Sequence, residues 1–186
     1  SNYLWCLLHS NRYNSKKLLH LFRQHAPLKS DISTNEPSNS IQSNPTNSKK
    51  NRIGFVSPDI CDHVVGHFVI PLFVYLQERF DIFIYSNSII EDDHTKKAIQ
   101  TTKCFRSIVS LTTSQAVDII KSDDIDILVD LAGHTAYNRL DIFASKPVKN
   151  QVTWLGCPTT TGLATIDYII VPPDSYLLQA GWSSET

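Results

Sequence analysis

Two histidines and an acidic residue follow a short apolar stretch in the first half of the chain. Residues 52–56 (RIGFV) have a β-branched and aromatic bias, which predicts a buried strand. Asp59, His63 and His67 come directly after it, at the start of a predicted helix. Histidine titrates at about pH 6.5, so His63 can transfer a proton or hydrogen-bond a phosphate. The alternative for His63 is a structural histidine bonded to a nearby carboxylate.

The spacing of His63 and His67 also raises the question of a metal site. Residues four apart share one face of a helix. A zinc site at this place would need a third ligand, and the HEXXH pattern is absent because no Glu stands between the two histidines. We therefore expect no metal here, and we expect His67 to be a packing residue.

Two further polar loops follow predicted strands, at residues 132–139 (AGHTAYNR) and 156–162 (GCPTTTG). With residues 57–63, they should lie at one edge of a parallel sheet, where ligands bind. The small residues of 156–162 can bring backbone N–H groups close to a phosphate, although a tight turn is the alternative. Both G-x-G-x-x-G and the P-loop pattern are missing from the chain, which argues against a dehydrogenase and a P-loop enzyme. The polar residues that these loops and the following helix bring to the edge are Asp59, His63, His67, His134, Thr135, Asn138, Arg139 and Thr159 to Thr161.

The elements that must position these loops alternate between strand and helix. Such alternation predicts parallel β-α-β units in a Rossmann-like α/β fold, with residues 126–131 (DILVDL) as a central strand. Pro71 should kink the first helix or reset its start. The predicted strands are 52–56, 81–85, 105–109, 126–131, 151–155 and 167–171, and the predicted helices are 64–79, 92–100, 113–121 (capped by Thr113 or Ser114) and 138–144.

The chain divides by composition into three parts. Residues 1–26 carry leucines at helical spacing and predict a short helical segment that packs on the domain or on something upstream. Residues 27–51 are rich in Ser, Asn, Thr and Pro and predict a flexible linker. Residues 52–186 form the α/β domain. Because the sequence lacks Met and begins with Ser, we expect a piece of a longer protein or a processed one.

Charge and composition exclude several function classes. The chain has 17 Lys and Arg against 18 Asp and Glu, which gives no electrostatic case for nucleic acid or an anionic membrane. Neither a signal peptide nor an apolar run of about 20 residues is present. The four cysteines are widely spaced, which favours reduced thiols in a cytoplasmic protein over a disulfide framework or a zinc site.

Three stretches together closely resemble the O-linked N-acetylglucosamine (O-GlcNAc) transferase family, including its SPINDLY-like members. They are RIGFVSPDICDHVVGHF, DIFIYSN, and DILVDLAGHTAYNRLDIFASKPVKNQVTWLGCPTTTGLATIDYII. The resemblance covers about residues 52–171, and the order LAGHT, NRL and WLG-x-P is highly specific. Residues 1–26 resemble the segment that joins this family's tetratricopeptide repeats to its catalytic region.

The resemblance implies the N-terminal lobe of a two-lobed GT-B fold. It implies an inverting transferase that moves a sugar from a nucleotide sugar to Ser or Thr hydroxyls of proteins, without a metal or another cofactor. The donor would be UDP-GlcNAc in most of the family and GDP-fucose in the SPINDLY branch, bound mainly by the C-terminal lobe. The site residues that it implies are His63 and His134 as catalytic groups and Asp59, Thr135, Pro158, Thr159 and Thr160 as substrate-binding groups.

The sequence departs from the family pattern at two positions. Cys157 and Thr159 stand where the family more often has Tyr and Gly. Two other function classes stay open: a non-catalytic binding or scaffolding module that lacks the donor lobe, and a generic small-ligand binder with a doubly wound sheet.

Overall fold

Six parallel strands form a single sheet in the computed structural model, which describes residues 50–157 and 159–171. The strands are β1 (Arg52–Ser57), β2 (Asp81–Ser86), β3 (Cys104–Ser107), β4 (Ile127–Asp130), β5 (Asn150–Trp154) and β6 (Tyr168–Ile170). The helices are α1 (Val64–Leu76), α2 (Asp93–Thr101), α3 (Thr113–Ser122) and α4 (Leu140–Ala144). Each strand and helix predicted between residues 52 and 171 is present, which confirms the α/β fold class. Residues 1–26, nearly all of the predicted linker 27–51, and Pro158 lie outside the described residues.

The strand order β3-β2-β1-β4-β5-β6 places β1 and β4 at the centre of the sheet. All five strand pairs are parallel, with Phe55 opposite Val129 in the central pair. The prediction that residues 126–131 form a central strand is therefore confirmed. The chain winds outward from β1 to β3 and then returns to β4 on the other side of β1. In open α/β sheets, a ligand crevice forms at the carboxyl ends of the strands where the order reverses in this way.

Helices cover both faces of the sheet, because neighbouring residues of a strand point to opposite sides. Phe55 and Val129 belong to one core cluster, together with Phe73 of α1. Val56 and Leu128, one position away along the same strands, belong to the other cluster, together with Phe143 of α4. An apolar core layer thus packs on each face of the sheet. The polar loops at the strand ends lie outside these two layers.

Most element ends lie within two residues of the sequence prediction, and two differences can be traced to particular hydrogen bonds. The helix α1 continues through Pro71 and ends at Leu76, three residues before the predicted end, because Arg79 and Phe80 donate their N–H groups to the Leu76 carbonyl in a closing turn. The predicted cap of α3 at Thr113 or Ser114 is wrong. Thr112 is the cap: its side chain accepts from the Gln115 N–H while the Gln115 side chain accepts from the Thr112 N–H.

Cys61 and Cys157 are buried free thiols, and Cys104 is a half-buried one. Within residues 50–157 and 159–171, none of the helices has both the length and the apolar character that a membrane crossing needs.

Candidate functional site

The three polar loops lie at the same edge of the sheet, as the parallel topology requires. We name them loop 1 (residues 58–63, after β1), loop 2 (131–139, after β4) and loop 3 (155–162, after β5). Because β1, β4 and β5 are neighbours in the sheet, the loops follow one another along the crevice edge. The side chain of Asn87, at the end of β2, donates to the Tyr137 carbonyl over 2.9 Å and ties loop 2 to the opposite half of the sheet.

A buried carboxylate, that of Asp130, organises loop 2. Asp130 ends β4 and is 1% exposed. One carboxylate oxygen accepts from the Ala132 N–H over 3.0 Å. The other accepts from the Gly133 N–H over 2.9 Å and from the Thr153 hydroxyl over 2.8 Å. Burial raises the pKa of Asp130, and the three hydrogen bonds oppose that rise.

Loops 2 and 3 pack so closely that two positions need glycine. A Cβ on Gly156 would lie 2.1 Å from the Leu131 carbonyl oxygen. A Cβ on Gly133, whose φ is +59°, would lie 2.6 Å from the Cys157 Cβ. The backbone of loop 3 therefore lies directly against the end of β4.

Replacing Gly156 by alanine should separate these loops and lower the free energy of unfolding of the chain by about 1–3 kcal/mol, the usual range for overpacking. The added methyl group meets backbone atoms, which cannot rotate away as a flexible side chain would. Urea denaturation of the 186-residue chain measures the effect. The control is Ala164→Ser, which adds one atom at an exposed position; equal stability of the two variants would contradict the close packing.

His134 lies in this interlocked region and is 4% exposed. Its Nε2 lies 2.7 Å from the Thr161 carbonyl oxygen. A carbonyl oxygen only accepts, so Nε2 is the nitrogen that carries the proton. This bond ties loop 2 to loop 3.

His63 differs from His134, because its side chain is 48% exposed. It caps α1: Nδ1 accepts from the Val65 N–H over 3.3 Å. A nitrogen that accepts an N–H is unprotonated, so the neutral ring carries its proton on Nε2. Asp59 lies beside the ring, with its Oδ1 3.9 Å from His63 Nδ1. Burial raises the pKa of Asp59, and the charge interaction with His63 opposes the rise.

His67 is directed away from the core and contradicts the expectation of a packing role. Its side chain is 52% exposed, and its Nε2 lies 3.0 Å from Asp62 Oδ1. Its ring also meets the edge of the His94 ring, with centroids 4.7 Å apart. His67 thus lies toward α2, and its ring contacts Asp62 of loop 1 and His94 of α2.

The threonines of loops 2 and 3 mostly bond within their own loops. The Thr135 hydroxyl donates to the Ala132 carbonyl over 3.1 Å. The Thr160 hydroxyl accepts from the Gly162 N–H over 3.1 Å. The Thr159 hydroxyl lies 3.2 Å from Cys157 Sγ. All three residues are half-buried, so they line the edge without being sealed in the core.

Asn138 and Arg139 act as structural ties. The Asn138 side chain donates to the Thr135 carbonyl over 2.7 Å and accepts from the Leu140 N–H at the start of α4. The Arg139 guanidinium pairs with Asp141 over 3.1 Å and donates to the Ile108 carbonyl over 3.2 Å. These bonds hold the beginning of α4 against the loop after β3.

Sequence reasoning missed Asp130, on which loop 2 depends. A signal existed, since Asp130 is the acidic residue inside the apolar run ILVDLA. An acidic residue in such a run is buried only if it is bonded, and a glycine three residues later supplies one of the donors.

The model of glycosyl transferase family 41 matches residues 8–177 of the chain. The chain therefore belongs to glycosyl transferase family 41.

Curated relatives of this family 41 chain come from plants and from a nematode. Over 133 residues the chain is 38% identical to a probable UDP-N-acetylglucosamine–peptide N-acetylglucosaminyltransferase SPINDLY of Oryza sativa subsp. japonica, with 66% of this chain and 14% of the relative covered. It is 33% identical over 124 residues to the probable transferase SEC of Arabidopsis thaliana, with 66% and 13% covered. It is 33% identical over 128 residues to the UDP-N-acetylglucosamine–peptide N-acetylglucosaminyltransferase of Caenorhabditis elegans, with 67% and 11% covered.

A solved structure supports the same fold. A mutant O-GlcNAc transferase of Thermobaculum terrenum superposes with a TM-score of 0.75 at 29% identity, covering 89% of this chain and 32% of that one. The family 41 chain thus has the fold of a GT-B catalytic lobe. It spans about one seventh of the length of the rice SPINDLY relative, since it covers 14% of it.

Cys157 and Thr159 of loop 3 contact each other. Cys157 and Thr159 are joined through Sγ and Oγ1, and the Thr159 N–H donates to the Cys157 carbonyl over 2.8 Å. Burial raises the pKa of the Cys157 thiol. Cys157 therefore supports the shape of loop 3.

Proposed function

We propose that this chain is the N-terminal catalytic lobe of an inverting glycosyltransferase that moves GlcNAc from UDP-GlcNAc to Ser and Thr hydroxyls of proteins. The observation that carries the proposal is the position of His63, an accessible histidine at the switch-point crevice of a family 41 lobe. Relatives whose names include UDP-N-acetylglucosamine and peptide support the donor and the acceptor class.

His63 is the proposed catalytic group of this lobe. Inverting transfer needs an acceptor hydroxyl aligned with the anomeric carbon and stabilisation of the charge that leaves with the phosphate. With Nδ1 held by the Val65 N–H, the neutral ring presents Nε2–H. We assign His63 the role of donating this hydrogen bond to an oxygen at the reacting centre. Asp59, whose Oδ1 lies 3.9 Å from His63 Nδ1, is the substrate-binding group that we place beside this ring.

The interlocked loops 2 and 3 supply the proposed substrate-binding wall. His134, Thr135, Pro158, Thr159 and Thr160 are the residues that we place on it. The Nε2 of His134 is engaged with Thr161, so the catalytic role that we assign to this ring depends on the shape of loop 3. Asp130 is a positioning residue, because it fixes the turn that carries His134.

The remaining parts of the proposal concern the parent protein. A second lobe binds most of the nucleotide sugar, and tetratricopeptide repeats upstream select protein acceptors. This lobe alone should then be inactive, since half of an interdomain cleft cannot hold the donor. We place the protein in the cytoplasm, where UDP-GlcNAc and reduced thiols occur together.

The test is transfer of labelled sugar to Ser- and Thr-containing peptides by the full-length protein that carries this chain. We expect mass shifts of one N-acetylhexosamine with UDP-GlcNAc, and none with the isolated 186-residue chain. GDP-fucose is assayed in parallel, because the SPINDLY relative shows 38% identity against 33% for SEC.

The outcomes separate the alternatives. Transfer from GDP-fucose alone would support the proposed glycosyltransferase activity and would show that the donor is GDP-fucose instead of UDP-GlcNAc. A folded full-length protein that transfers neither sugar would contradict the proposal and favour the binding module. A modified peptide in which Ser and Thr are replaced by Ala would contradict the acceptor chemistry.

A further inference from the structure

Two histidines and a carboxylate meet on the surface where the end of loop 1 and the helices α1 and α2 come together. They are Asp62, His67 and His94, which we call the α1–α2 cluster. Each offers one ligand atom, and these atoms all lie within 4.8 Å of one another. In the described part of the chain, no other such group of three is found.

The cluster has the composition of a zinc-class site. Imidazole nitrogens favour zinc and related transition metals, whereas magnesium and calcium take oxygen ligands. Around a tetrahedral zinc with bonds of about 2.0–2.1 Å, ligand atoms lie about 3.4 Å apart. His67 Nε2 and Asp62 Oδ1 are already 3.0 Å apart. The ligand atom of His94, which is half-buried, lies within 4.8 Å of the other two. The His67 and Asp62 side chains are 52% and 71% exposed and have room to rotate toward it.

The backbone around the cluster is fixed by hydrogen bonds from both elements. The Asp62 N–H donates to Asp92 Oδ2 over 2.6 Å. The other oxygen of Asp92 accepts from the Thr95 N–H and so caps α2. The Thr95 hydroxyl donates over 2.8 Å to the buried Ile60 carbonyl. Loop 1 and the first turn of α2 are thus joined at the place where the ligands converge.

The local charge also favours a cation. Glu91, Asp92 and Asp93 precede His94, and Asp62 and Asp59 lie in loop 1. Of these, Asp93 is paired with Lys96 over 2.8 Å, whereas Asp92 accepts only from neutral donors. A divalent cation between the helices therefore lies in a field of net negative charge.

We propose that Asp62, His67 and His94 bind a zinc-class divalent cation that clips α1 to α2. The ion takes three protein ligands, and water completes its shell. This inference goes beyond the proposed transfer reaction: none of the three ligands belongs to the proposed catalytic groups. The alternative is that no cation binds and that His67 and Asp62 form a surface ion pair, which contributes little to stability.

The test is Zn²⁺ binding by the 186-residue chain, measured by competition with a chromophoric chelator and by the visible absorption of bound Co²⁺. We expect one site per chain. His67→Asn and His94→Asn should each weaken Zn²⁺ binding at least about tenfold, the loss that even an outer-shell change causes. Zn²⁺ should also raise the unfolding temperature of the parent chain, and less so that of either variant.

Asp93→Asn is the matched control, because it removes an exposed carboxylate next to His94 that is paired with Lys96. It should leave Zn²⁺ binding within about twofold of the parent, since general charge contributes less than a ligand bond. The chain holds seven histidines, so a site elsewhere is a real competitor. Zn²⁺ affinity that is unchanged in both histidine variants, equal losses in Asp93→Asn, or Mg²⁺ binding as tight as that of Zn²⁺ would each overturn the proposal.

Discussion

Replacing Asp130 by alanine should lower the free energy of unfolding by about 2–6 kcal/mol, the largest stability effect that we expect from a single polar residue of this chain. The change leaves the Ala132 and Gly133 N–H groups without their acceptor in a buried turn. Each such buried group costs about 1–3 kcal/mol when it is unpaired. A domain with a total stability of about 5–15 kcal/mol would lose a large part of it.

Asp130→Asn refines this result. In either orientation of the amide, its NH₂ group faces one of the two backbone N–H donors, because each carboxylate oxygen accepts from one of them. We expect a loss of about 1–3 kcal/mol, between the parent and the alanine variant. Urea denaturation gives these values. Asp118→Asn is the exposed control and should change stability by less than about 0.5 kcal/mol.

The pH dependence of the same variants tests the state of the carboxyl group. Burial raises the pKa of Asp130 in the folded chain. The stability that protonated Asp130 contributes to the fold is therefore fully present below the ordinary aspartate pKa of about 3.9, and it is lost as pH rises through the folded-state pKa of Asp130. The gap in stability between the parent and Asp130→Asn should then narrow as pH rises through that window. A gap that widens with pH would show that the three hydrogen bonds outweigh burial.

The sheet could be predicted because each strand carries its own signal. Runs such as IFIY at 82–85 and ILV at 127–129 are too short and too β-branched for helices, and their alternation with helical segments requires parallel pairing. The ends were less certain, because caps depend on individual bonds. Gln115 selects Thr112 as the cap of α3 by bonding back to its N–H, and the two threonines differ in no simple sequence property.

For the site, the sequence predicted which loops lie together but not the contacts of the individual side chains. That loops 1, 2 and 3 share an edge follows from parallel strands, and so His63 and His134 could be placed there. The different environments of the two rings could not be predicted. His134 bonds to the Thr161 carbonyl of another loop, whereas His63 accepts from the nearby Val65 N–H. The partners of His67 were also hidden, because His94 comes from a different helix 27 residues later in the chain.

His63→Ala in the full-length protein should reduce turnover by about 10²–10³-fold, the usual loss when one hydrogen-bond donor to the reacting centre is removed. The variant has a second effect, because His63 caps α1 through Nδ1. Loss of a cap costs about 1 kcal/mol. A loss of activity in this variant alone therefore does not separate the ring from the cap.

His63→Asn separates them. Asparagine is a good cap, and its side-chain oxygen can accept from the Val65 N–H as Nδ1 does, but it has no group in the place of Nε2. We expect the asparagine variant to keep parent-like stability in urea and to lose turnover as severely as the alanine variant, measured with saturating UDP-GlcNAc and peptide. Near-parent turnover in the asparagine variant, with loss only in alanine, would make His63 a structural cap. The reacting group would then have to be sought on loops 2 and 3, where the ring of His134 is the remaining imidazole.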